Sequence, residues 1–258
     1  MEITWLGHSS LRIRSGTTTL VTDPFADSVG FPMAAAQADI VTMSSDHPHH
    51  SHIAGVQGDP RVLTGPGAYE IANFYITGLG TPAAPLQAPQ AETETPDTPP
   101  PPEAKGDPGE ADDEADEANE EAEGDEAAEE APRVTSQPIN TVFSVRAEGI
   151  TVCHLGDITR VVTPRQAEQL NQAEILIVPV GGHCTISIDA IPQLINLIGP
   201  KIVIPVHYQS DGSNLELEPL NRFLQEIGVS EASSQNRINV TSTNLPRDMT
   251  VIPMNRTS

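Results

Sequence analysis

The chain has 258 residues and a formal net charge of −23, with 37% hydrophobic and only 3% aromatic residues. That length suits one large domain or two small ones, and the acidity argues against nucleic acid or an anionic membrane surface as a general partner. Its apolar runs fall short of the ~20 residues needed to cross a bilayer, and Met1-Glu2-Ile3-Thr4-Trp5 lacks the basic and apolar regions of a signal peptide, so a reducing cytoplasm is the expected compartment.

Ile3-Thr4-Trp5-Leu6 reads as a strand that ends at Gly7-His8-Ser9-Ser10. Residues 10–14 alternate, Ser15-Gly16 turns the chain, and residues 17–22 alternate again up to Asp23-Pro24-Phe25, a hairpin signature. Ala38 to Met43 is a short apolar run of the kind a buried strand makes. It leads into Ser44-Ser45-Asp46-His47-Pro48-His49-His50-Ser51-His52, which holds four of the eight histidines. Neutral imidazole is the commonest metal ligand, and loop residues fanned from a strand end converge readily on one ion. The spacing of His47, His49 and His50 rules out a helical i, i+4 pair, so a site here is loop-built. A merely solvated histidine-rich loop is the alternative. A short helix is expected over 52–56, strands over 61–64 and 74–77, and a turn at Gly65-Pro66-Gly67.

The composition then changes. Between Ala91 and Glu130 there are 18 acidic residues against one basic residue, Lys105, so this stretch carries −17 of the −23 and the remainder only −6. Like charges repel and apolar side chains are missing, so little offsets the entropy cost of ordering. A disordered acidic insert is therefore expected over 81–136. It divides one α/β domain into a first part, 1–80, and a second, 137–258. An inert surface insertion costs little stability; attraction of a basic partner or of loosely held divalent cations is the alternative role.

Order is expected to resume at Ile139. Residues 140–146 alternate, Ala147-Glu148-Gly149 turns, and Ile150 to His154 alternates into Leu155-Gly156-Asp157, repeating the plan of the earlier hairpin that ends in Asp23. Thr163-Pro164-Arg165-Gln166 has the form of a capped helix start. Glu174 to Val180 and Lys201 to Val206 are buried strands, ending at Gly181-Gly182-His183 and His207-Tyr208. Residues 188–198 and 217–227 have helical apolar spacing, and short strands are expected near Ile238 and Val251. Cys153 and Cys184 are too few for a disulfide framework and read as reduced, partly buried thiols; because each stands beside a histidine, soft metal ligation or oxidation sensitivity is the alternative.

Strand after strand thus ends in a turn whose first polar residue is His or Asp: His8, Asp23, the 47–52 loop, Asp157, His183 and His207. In layered α/β proteins such ends converge on one edge, where sites form. Singly, each has a structural explanation as a strand-end cap. Together they predict a metal or polar catalytic site.

The blocks Trp5-Leu6-Gly7-His8-Ser9-Ser10, Asp23-Pro24-Phe25, the histidine loop, Gly65-Pro66-Gly67-Ala68-Tyr69-Glu70, His154-Leu155-Gly156-Asp157, Pro179-Val180-Gly181-Gly182-His183 and Ile204-Pro205-Val206-His207-Tyr208 resemble, in order, those of the metallo-β-lactamase-fold hydrolases. The nearest branch contains ascorbate-6-phosphate lactonase and many uncharacterised Zn-dependent hydrolases. The resemblance covers nearly all of the chain outside the acidic insert. It implies a four-layer αββα sandwich of two related halves, with metal at one edge of the two sheets.

The family motif H-x-H-x-D-H falls on Ser45-Asp46-His47-Pro48-His49-His50, so Ser45 stands where a His belongs and His49 where the Asp belongs. The His that the family places after the strand at 74–77 is missing too, since no His occurs between His52 and His154. By resemblance, Asp157 is the metal-bridging Asp and His207 the last His ligand. The implied binuclear site is incomplete, and one ion is expected, held among His47, His49, His50, Asp157 and His207. Zn²⁺ suits these donors best, with Mn, Fe or Ni as alternatives. The implied chemistry is hydrolysis of a lactone, ester or phosphoester by metal-activated water, with Asp157, His183 and His8 as catalytic groups and Asp23 bracing the loop. A small-molecule substrate follows, and a homo-oligomer is in keeping with the family. The competing reading is a non-catalytic pseudoenzyme or metal-binding scaffold whose acidic segment serves an interaction.

Overall fold

The computed structural model describes residues 1–82, 139–170 and 172–257, so the acidic insert lies outside the described residues apart from Thr81 and Pro82. Those two residues extend a strand instead of opening a loop.

The first sheet contains β1 (Glu2–Gly7), β2 (Ser10–Ser15), β3 (Thr18–Thr22), β5 (Ile40–Thr42), β7 (Arg61–Leu63) and the late strand β14 (Ile238–Asn239), in the order β14-β1-β2-β3-β5-β7. A two-residue ribbon, β4 (Ala36–Gln37) with β6 (Val56–Gln57), stands apart from it. The second sheet contains β8 (Gly67–Ile71), β9 (Phe74–Pro82), β10 (Ile139–Ala147), β11 (Ile150–His154), β12 (Ile175–Pro179), β13 (Ile202–Val206) and β15 (Thr250–Val251), in the order β15-β13-β12-β11-β10-β9-β8. Both sheets follow one plan. An antiparallel hairpin, β2/β3 or β10/β11, is followed by strands parallel to its second arm. The second hairpin turns on Glu148 and Gly149, both with positive φ (53° and 73°), the backbone that a tight two-residue hairpin requires.

Alternation places one face of each sheet inward. Ile3, Trp5, Leu11, Ile13 and Leu20 of the first sheet share a core with Phe74, Phe143, Val145, Ile177 and Ile204 of the second, so the two sheets pack face to face. The opposite face of the second sheet, with Val142, Leu176, Val178 and Val203, is covered by α1 (Pro164–Leu170), α2 (Ile191–Ile198) and α3 (Leu220–Glu226). On the outer face of the first sheet, Leu6, Val21 and Val41 pack under Ala36, Ala38, Met33 and Val56. The layers are thus helices, sheet and sheet, with the outer face of the first sheet covered by the small ribbon and neighbouring loop residues instead of an α-helix among the described residues.

The helix boundaries follow local chemistry. Thr163 and Gln166 form the expected capping box: Thr163 N–H donates to Gln166 Oε1 at 3.0 Å, and Gln166 N–H to Thr163 Oγ1 at 3.3 Å. The helix expected from Ile188 starts as a 3-10 turn, and α2 proper begins at Ile191 with Pro192 in its first turn, where a missing N–H costs nothing. The helix expected from Leu217 begins at Leu220, because Pro219 is held extended (φ −74°, ψ 155°) as its N-cap. Among the described residues no helix is long and apolar enough to cross a membrane.

Candidate metal centre

β1, β3 and β5 run in one direction, as do β11, β12 and β13. The polar residues that follow them therefore gather at one edge of each sheet. The chain leaves four of these strands through a left-handed residue that is not glycine: His8 (φ 47°), Asp23 (φ 38°), His183 (φ 54°) and His207 (φ 52°). Such backbone costs about 1–3 kcal/mol per residue and persists only where the surroundings enforce it. Here the enforcement is visible. The His8 carbonyl accepts the His207 N–H at 3.1 Å and the Trp5 Nε1–H at 3.0 Å, joining the two sheets beneath the site.

Asp23 fastens the histidine loop. Fully buried, it accepts the Ser44 N–H at 2.8 Å, the Ser44 hydroxyl at 2.5 Å and His50 Nδ1–H at 2.8 Å. Burial by itself would raise its pKa. The His154 imidazole, then His50 and Ser44, outweigh burial and bring it below the ordinary carboxylate value. His50 is thereby held with its proton on Nδ1, and its Nε2 faces Asp157 Oδ1 at 3.8 Å. A histidine braced from behind by a carboxylate, with the other nitrogen free, is the arrangement that metal-ligating histidines adopt. For His50 too, burial is outweighed: Asp157 and Asp23 raise its pKa above the usual histidine value.

Around His50 the rings crowd together. The His8 and His207 centroids are 4.3 Å apart, His8 and His50 5.5 Å, and His50 and His207 5.8 Å. One ligand atom each of His8, His50 and His207 lies within 4.8 Å of the others, and all three residues are buried. A second group, Asp157, Cys184 and His207, meets the same measure and shares His207. Burial, then His207 and His50, pulls His8 well below the usual histidine range. Burial, then His50, pulls His207 down to about 3. Both are therefore neutral imidazoles near pH 7. His8 Nε2, His207 Nδ1 and Asp157 Oδ1 are all buried without a hydrogen-bond partner. Unpartnered buried polar atoms are costly, and these belong to residues that gather in the two compact groups with donor types that suit Zn²⁺, so the residues fit an ion at this place.

Of the expected site residues, His50, Asp157, His207 and His8 are brought together. His47 and His49 sit half-buried on the loop, 4.5 Å apart by centroid, with His49 edge-on to His8 at 5.7 Å and His47 6.4 Å from His50. His47 Nδ1 accepts the His49 N–H at 3.2 Å, and neither residue belongs to the compact groups. Burial, then His47, lowers His49 to about 4. His183 is exposed and makes none of these ring contacts.

Two contributors escape sequence reading. His154 is buried beneath the site, its Nε2 hydrogen-bonded to the Ser9 carbonyl at 3.0 Å and its Nδ1 3.9 Å from Asp23. Its place at the inward end of an alternating strand was the available signal. For Cys184 the signal was its neighbour His183, which left soft ligation open as an alternative; its sulfur reaches the centre through a turn that only the tertiary fold positions. Although the residue is exposed, desolvation and then Asp157 push its thiol up to about 11. Asp157 is set by close packing. The Gly156 backbone (φ 60°) passes so near Ser44 that a Cβ would stand 2.2 Å from Ser44 Cβ, and Asn140 Oδ1 accepts the Asp157 N–H at 2.8 Å.

A β-lactamase superfamily domain profile matches residues 2–96 and 110–207. A metal-dependent hydrolase of Methanoculleus marisnigri is 24% identical over 210 residues, spanning 81% of this chain and 82% of the relative. Another, from Thermus thermophilus, is 25% identical over 215 residues, 81% of this chain and 84% of that one. The crystal structure of a candidate Zn-dependent hydrolase of the metallo-β-lactamase superfamily from Thermotoga maritima superposes with a TM-score of 0.67 at 27% identity, covering 98% of this chain and 97% of that chain.

Proposed function

Because the chain belongs to the β-lactamase superfamily, we propose that it is a metal-dependent hydrolase that opens a lactone, ester or phosphoester at a single ion, held by His50, His207 and Asp157 with His8 beside them. The observation that carries this reading is the braced His50: its Nδ1–H is committed to buried Asp23, its Nε2 lies 3.8 Å from Asp157 Oδ1, and one ligand atom each of His8, His50 and His207 lies within 4.8 Å of the others. Zn²⁺ is the ion we assign, from the imidazole and carboxylate donors. When bound, it lowers the pKa of water toward ~7 and polarises the substrate's carbonyl or phosphoryl group.

The protein's own groups supply the rest. Asp157 orients the attacking water and accepts its proton through the carboxylate oxygen that does not face the ion. His8, neutral at working pH, stands within ring contact of His49, His50 and His207 and hydrogen-bonds the substrate oxygen that gains charge. His49 is neutral as well, and it occupies the place from which the resembling enzymes use an Asp. His183, exposed at the turn after β12, is assigned to the rim that meets the substrate.

The competing reading, a scaffold without turnover, is favoured by Ser45, whose buried Oγ has no partner where the resemblance places a His. The two separate in one experiment. Purified protein is analysed for metal and then assayed with chromogenic lactones, esters and phosphodiesters, with and without chelator. The hydrolase reading expects about one equivalent of metal, chelator-sensitive turnover, and loss of metal in His50→Ala and His207→Ala. Bound metal without turnover selects the scaffold. Metal content unchanged in both variants refutes the site.

A further inference from the structure

Cys184 lies beside two groups already placed at the centre, and its turn is fastened to the segments of both. One ligand atom each of Asp157, Cys184 and His207 lies within 4.8 Å of the other two. Within the turn, Thr185 N–H donates to the Gly182 carbonyl at 3.1 Å. Ile186 N–H donates at 2.7 Å to the carbonyl of Ile158, the residue after Asp157. On the other side, a Cβ at Gly181 would stand 2.2 Å from the His207 carbonyl oxygen, so the turn presses against His207 more closely than any side chain would allow. Two atoms of the group are buried and unpartnered, Asp157 Oδ1 and His207 Nδ1, and His207 is 2% exposed. Cys153, by contrast, lies in the core beneath the helices and takes no part.

We infer that Cys184 Sγ is a ligand of the ion, bound as a thiolate next to Asp157 and His207. This rests on the metal reading proposed above and adds a soft donor where the resemblance supplies none. His49 in place of an Asp takes one negative charge out of the donor set, and a thiolate restores it. Asp157 and Cys184 then balance a dication, and neutral imidazoles fill the remaining positions. On binding, the S–H bond breaks, its proton passes to solvent and a metal–sulfur bond forms, with no change of oxidation state. A mixed imidazole, carboxylate and thiolate set favours zinc or cobalt over manganese and magnesium, which prefer oxygen.

The test uses the full chain, stripped with chelator and titrated with cobalt(II). Visible d–d bands report that cobalt is bound, and an intense near-ultraviolet sulfur-to-cobalt charge-transfer band reports a thiolate ligand. The wild type shows both. Cys184→Ser, a small change at an exposed position, keeps the visible bands and loses the near-ultraviolet one. In parallel, iodoacetamide labels Cys184 in the stripped protein, and stoichiometric cobalt slows that labelling by about tenfold or more, because a metal-bound sulfur is a poor nucleophile. Visible bands without the near-ultraviolet band, or unslowed labelling with cobalt bound, overturn the thiolate ligand and leave the metal centre standing. Absence of any cobalt spectrum overturns both.

Discussion

Asp23→Asn isolates the brace behind His50. The replacement has the same shape, but the oxygen that accepts His50 Nδ1–H and the Ser44 hydroxyl becomes an NH₂ that donates. Ser44 can rotate its hydroxyl to accept. His50 can adapt only by moving its proton to Nε2, which removes the lone pair aimed toward Asp157. Losing such a partner weakens metal binding by about 10–100-fold, which is about 1.4–2.7 kcal/mol. The fold should suffer separately. Asp23 is 0% exposed and its carboxylate accepts three hydrogen bonds, and losing a charge-assisted bond costs about 1.5–3 kcal/mol. Zinc affinity is read by competition with a chromophoric chelator, the His50 tautomer by ¹⁵N NMR, and apoprotein stability by urea unfolding. A variant that binds zinc as tightly as the wild type, with His50 still protonated on Nδ1, would refute the bracing argument.

The pH dependence of the apoprotein follows from the lowered histidines. His207 at about 3 and His49 at about 4 bind fewer protons folded than unfolded, where the value is about 6.5. Their contribution is complete above about pH 6.5 and is lost as pH falls toward those folded values, at up to about 1.4 kcal/mol per pH unit for each proton taken up. His50, with a raised pKa, acts oppositely: its contribution is complete below about 6.5 and declines as pH rises through its folded value. The lowered group is larger, so the urea midpoint of the apoprotein should be lower near pH 5 than near pH 7.5; an unchanged or higher midpoint would contradict the assignment. Gly156→Ala places a Cβ 2.2 Å from that of Ser44 at φ 60°. The left-handed backbone costs about 1–2 kcal/mol before the clash is counted, so calorimetry should show a clear fall in Tm, and metal affinity should fall with it as Asp157 shifts. Removing metal with chelator should lower the Tm as well, since an ion present at ~100 times its Kd stabilises by about 2.7 kcal/mol; a Tm indifferent to chelator would argue against a bound ion.

Much of this was legible along the chain. The hairpins ending at Asp23 and Asp157, the buried strands at 175–179 and 202–206, and the capping box at Thr163 arise from contacts only a few residues apart, and they show as alternation, apolar runs and turn residues. The gathering of His8, His50, Asp157 and His207 was legible too, because parallel strands put their C-terminal ends on one edge. The helix starts shifted by three residues, at Ile191 and Leu220, since periodicity marks the buried face while a proline decides where the first turn closes.

The sequence by itself determined the donor chemistry: which side chains are available, that they follow strand ends, and that one imidazole and the carboxylate of the resembling motif, and the His after the strand at 74–77, are missing. Tertiary structure alone decided which donors meet. His50, and not His47 or His49, joins a compact group because Asp23, 27 positions away, accepts its Nδ1–H. Cys184 comes within reach of Asp157 and His207 because the turn after β12 is pinned between Ile158 and His207. Ligand geometry depends on distances between segments far apart in the chain, and those are fixed by how the two sheets pack.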